Sequence, residues 1–94
     1  MDAKQAIKAA KSYVNDIFED EGLMNLGLEE VKFKEFENCW EITLGFSRPW
    51  NANRNSLSGL TGAQTPQRTY KVIVIKDDTG EVIEIRNREV EEAR

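Results

Sequence analysis

Val72-Ile73-Val74-Ile75 is the feature that most narrows the folds open to this chain. Four β-branched residues in succession favour an extended strand, whose side chains alternate between two faces. Both faces are then apolar, and such a strand requires cover on both sides. Asp77-Asp78-Thr79-Gly80 follows at once. A type I turn ending in a left-handed Gly80 would reverse the chain there. Thr69–Lys76 and Glu81–Asn87 therefore read as a hairpin in which Ile73 meets Ile85 and Ile75 meets Ile83. The isoleucines make one face. Tyr70, Val72, Val74 and Val82 make the other.

The N-terminal segment supplies a cover for the isoleucine face. Across residues 2–21, Ala3, Ala6, Ile7, Ala10, Val14, Ile17 and Phe18 recur with helical spacing and form one stripe. Asp2 and Gln5 carry a capping-box pattern, and Gly22 suits the left-handed residue that ends a helix. Leu23–Glu30 reads as a connector whose leucines plug one end of the core. Glu30–Glu37 and Cys39–Phe46 then form a first hairpin around a tight turn at Glu37-Asn38. In that register Val31 faces Leu44, Phe33 faces Ile42 and Glu35 faces Trp40, while Lys34 lies across from Glu41 on the other side.

These elements predict an α+β fold, one N-terminal helix packed across a four-stranded antiparallel meander. Residues 1–94 form a single domain with a long loop at 47–69 and a frayed charged tail at 88–94. The helix, its Ala9-Ala10 pair, and the closing Val72–Val82 segment with its Asp-Thr-Gly-Glu-Val turn resemble PepSY-like domains, which are small cystatin-like modules. Some small bacterial immunity proteins look similar in the same way. That resemblance implies a non-catalytic binding or inhibitory module. The chain departs from it in the 47–69 insertion and in showing no export signal.

Charge is distributed unevenly. Residues 47–69 carry Arg48, Arg54 and Arg68 and no acid. Of 13 Lys and Arg, the other ten share the remainder of the chain with all 17 Asp and Glu. An overall charge of −4 argues against bulk nucleic-acid binding, and a local contact by Trp50 with Arg48 and Arg54 is the weaker option. No apolar run is long enough for a membrane helix. The lone Cys39 and the absence of a leader pattern after Met1 fit a cytoplasmic protein, although a chain trimmed of its leader would read the same.

The absence of histidine excludes Ser-His-Asp and Cys-His nucleophile pairs and His-containing zinc sites. No enzyme activity, cofactor or metal is therefore expected. Asp16, Glu19, Asp20 and Glu21 splay around a helix end as a solvated acidic surface, and Cys39 reads as a small hydrophobe. The site residues expected to engage a partner are Arg48, Trp50, Arg54, Arg68, Tyr70, Val72 and Val74. Trp50 is either an interface anchor or a seal for the second sheet face. The partner is another protein or a second copy of the chain. Two further expectations stand beside this one. Backbone N–H groups near Gly59 and Gly62 can form a nest for a small anion, and a pocket between sheet and helix, lined by Trp40 and Tyr70, can hold a small ligand.

Overall fold

The computed structural model describes residues 1–48 and 68–88. Helix α1 spans Ala3–Ile17, and strands β1 (Met24–Lys34), β2 (Cys39–Ser47), β3 (Thr69–Lys76) and β4 (Val82–Asn87) follow in that order. The strands pair antiparallel with each sequence neighbour, as an open meander with β1 and β4 at its edges. The expected α+β layout is the one observed.

Asp2 caps α1 as its sequence predicts. Its carboxylate accepts from the Gln5 N–H at 2.8 Å, and the Gln5 side chain accepts from the Asp2 N–H at 2.8 Å. The helix is shorter than the 2–21 expectation. It closes at Phe18, a 3₁₀ turn covers Glu19–Glu21, and Gly22 is left-handed at φ 60°. Four carboxylates gathered where the helix dipole is negative favour that early end. Ala6, Ala10 and Val14 pack against Ile42, Leu44, Phe46, Ile73 and Ile75, all fully buried. Small alanines let the helix lie close to the sheet, and each large apolar side chain contributes about 1.5–3 kcal/mol through burial.

Three local expectations are corrected. The Leu23–Glu30 connector is instead the start of β1, which keeps pairing with β2 through irregularities between Met24 and Gly27 and between Leu28 and Glu30. Asn25 absorbs the first with a left-handed φ of 58°. The first hairpin turns through Glu35–Asn38, not through a two-residue turn, so Val31 pairs with Ile42, Phe33 with Trp40 and Lys32 with Glu41. That slip of two residues leaves every strand face unchanged, because side chains alternate with period two. In the second hairpin Ile73 pairs with Ile85 as expected, but the register shifts beyond Val74, and Ile75 pairs with Val82. Val82 therefore joins the helix-side core, and Ile83 is turned outward as the extra residue of a bulge.

Candidate site on the sheet face opposite the helix

The face away from α1 is built from rows that cross the sheet. One row runs Gly27, Gly45, Tyr70 and Arg88; the next runs Glu30, Thr43, Val72 and Arg86; a third runs Lys32, Glu41, Val74 and Glu84. Val72 and Val74 are only 7% and 6% exposed and cluster with buried Cys39. The expectation of an open apolar surface supplied by Val72 and Val74 is thus corrected. Charged side chains frame the valines. Glu41 holds Arg86 at 3.3 Å and Lys34 at 4.0 Å, Arg86 also reaches Glu84 at 3.4 Å, and Lys32 lies 4.0 Å from Glu30. A shallow groove between these rows is lined by Val72 together with the cations Lys32, Arg86 and Arg88 and the acids Glu30 and Glu41.

Tyr70 is the aromatic centre of this face. Its ring and the Arg68 guanidinium occupy the space left by Gly45, where an added Cβ would lie 2.9 Å from Tyr70 Cε1 and 2.8 Å from Arg68 Nη2. The Arg68 and Arg88 guanidinium carbons stand 6.0 Å and 5.8 Å from the ring centroid, two cation–π contacts to one ring. Arg68 is fixed further by a 3.0 Å hydrogen bond to the Asn25 carbonyl and by Glu29 at 3.6 Å. Arg88 has the ring as its contact and no ion pair among the described residues.

Arg48 does not join this cluster. It lies on the helix side, 14% exposed, and donates to Glu21 at 2.7 Å and to the Thr69 hydroxyl at 3.4 Å. Its guanidinium stands 5.5 Å from the Phe18 ring and 5.6 Å from that of Phe46. It therefore ties the 3₁₀ turn to the ends of β2 and β3. Nearby Lys71 donates to Asn87; burial holds its pKa below the usual lysine range, and the Arg48 charge adds to that while Glu21 opposes it. Trp50 and Arg54 lie outside the described residues, as do Gly59 and Gly62.

Trp40 and Tyr70 sit on opposite faces, so they line no common cavity; an open groove between α1 and the second hairpin is lined instead by Ala9, Tyr13, Asp16, Gly80 and Val82. No group of three or more Cys, Asp or Glu suited to a metal occurs among the described residues. Nor is any helix among them long and apolar enough to cross a membrane. Sequence reasoning missed Arg88, which it assigned to a frayed tail, and Phe36, which is fully exposed at the tip of the first hairpin. The backbone N–H of Arg88 bonds to the Tyr70 carbonyl at 3.1 Å and continues the β3–β4 ladder. Continuing the Ile73–Ile85 register to residue 88 is the signal that points to it.

No protein-family model matches the chain, and no curated protein or solved structure matches it either.

Proposed function

We propose that this protein is a small non-catalytic binding module that holds the acidic surface of a protein partner on the sheet face opposite the helix. One observation carries the reading: the guanidinium groups of Arg68 and Arg88 both stand over the Tyr70 ring, which itself lies against Gly45. Aromatic and arginine side chains dominate the energetics of protein interfaces, and ones already fixed in place lose less entropy on binding. Arg88 would draw an acidic group of the partner toward the Val72 groove, where Arg86 and Lys32 are already paired with Glu41, Glu84 and Glu30. Trp50 and Arg54 are the further contacts that the sequence offers. An inhibitor or immunity role, as the PepSY-like resemblance implies, is the specialised form of this reading. The free thiol Cys39 fits a reducing, cytoplasmic setting. A catalytic role has little to draw on in a chain without histidine.

The test is affinity capture from host lysate with three baits. Wild type and the helix-face control Lys8→Glu are expected to retain the same protein, and Arg88→Glu is expected to lose it while keeping the wild-type melting temperature. Retention by all three baits would remove this face from the reading.

A further inference from the structure

The edge strand β1 is complementary to itself. On its helix side, Leu28, Val31 and Phe33 lie across from Leu44, Ile42 and Trp40. Leu28 and Phe33 remain 42% and 41% exposed, because the single helix does not shield the outermost strand fully. On the other side the strand presents acids first and bases after them. Glu29 points toward Arg68, and Glu30, Lys32 and Lys34 stand across from Thr43, Glu41 and Cys39. The pairing from Glu30 to Lys34 is regular, and among the described residues no strand pairs with the outer backbone groups of this stretch. The other edge is blunted. β4 is six residues long and carries the bulge at Ile83.

We propose that two copies of this chain join antiparallel through β1, about a two-fold axis at Val31, into one continuous sheet. Such an axis sets Val31 against Val31 of the second copy and, with Glu29 counted as the extra residue of the irregularity between Leu28 and Glu30, lays Phe33 beside its Leu28, covering the apolar row that the helix leaves open. It also sets Glu30 against Lys32 of the second copy and brings Lys34 toward its Glu29. Every charge on the edge then meets its opposite, twice over, in an isologous interface. A parallel pairing would set like charge against like. This edge shares Glu30 and Lys32 with the rim of the Val72 groove, but its pairing runs through the outer backbone of β1 and does not depend on a partner binding at Tyr70.

Equilibrium sedimentation of the full chain over a concentration series tests the proposal. Wild type is expected to pass from monomer to dimer. Glu30→Lys sets Lys against Lys at two places and raises the dissociation constant about tenfold or more. Adding Lys32→Glu to that variant restores the dimer, a rescue that a change in folding alone would not produce. In a Cys39→Ser background, Val31→Cys is expected to give an oxidised, covalent dimer, and Phe33→Cys, placed away from the axis, is not. A wild type that stays monomeric throughout, or a dimer indifferent to Glu30→Lys, overturns the proposal.

Discussion

The ring of Tyr70 occupies the place where a side chain on Gly45 would be. A Cβ built on that glycine lies 2.9 Å from Tyr70 Cε1, closer than such carbons approach one another. The glycine is there for the close approach of its neighbours, since its own backbone is ordinary β-strand.

Gly45→Ala is therefore expected to destabilise the fold by about 1–3 kcal/mol through overpacking. Each kcal/mol corresponds to a melting-temperature loss of about 4–8 °C in a domain of this size. Its cross-strand partner Gly27 is the control. A methyl group there meets Arg68 Nη2 at 3.8 Å, an ordinary contact, so Gly27→Ala is expected to be nearly neutral. Equal melting temperatures for the two variants, read by circular dichroism, would show that Tyr70 and Arg68 yield without cost.

Arg48 is expected to matter for stability. It combines the ion pair to Glu21 with two aromatic neighbours in a partly buried place, and lysine reproduces neither the fork nor the flat stack. Arg48→Lys should cost about 1 kcal/mol or somewhat more. Glu21→Gln should cost less, because Glu21 is more exposed and its pairing is screened. Urea titrations measure both. An Arg48→Lys protein as stable as wild type would return Arg48 to the group of partner contacts.

At the opposite end of the sheet, the Trp40 indole donates to Asp77 Oδ1 at 2.8 Å, and the Met1 ammonium lies 3.2 Å from the same oxygen. The indole bond first, and the ammonium second, hold the Asp77 pKa below the ordinary value of 3.8. A depressed carboxylate pKa contributes stability that is complete above the unfolded value and is lost as pH falls through the folded one. Asp77→Asn is accordingly expected to lower the urea midpoint by a constant amount above about pH 5, with the gap to wild type closing as pH falls below that. A gap that persists unchanged into strong acid would mean that Asp77 acts through geometry and not through its charge.

Features settled by neighbours in sequence were legible in the sequence. The Ala6, Ala10 and Val14 part of the helical stripe, the Asp2–Gln5 cap, the left-handed Gly80 at φ 75° and the Ile73–Ile85 pairing all follow from residues a few positions apart or from one turn, whereas Ala3 and Ile17, expected on the same stripe, are exposed. The same holds for which side chains of β2 and β3 share a face. The slip in the first hairpin was not legible, because both registers put Val31, Phe33 and Ile42 on the helix side and both bring Lys34 near Glu41.

Local spacing and turn chemistry were enough to set the helix, the strand order and the two-faced character of Val72–Ile75, since they leave few alternatives. The tertiary structure alone decided how the second face is finished. It buried Val72 and Val74 on β3, with the Arg86–Glu41 ion pair joining β4 to β2 on the same face, and it sent Arg48 and Arg68 to opposite sides of the sheet. It also drew Arg88 into the ladder. These outcomes depend on which distant charges and rings come within a few ångströms once the strands are in register. Periodicity along one strand carries no information about that.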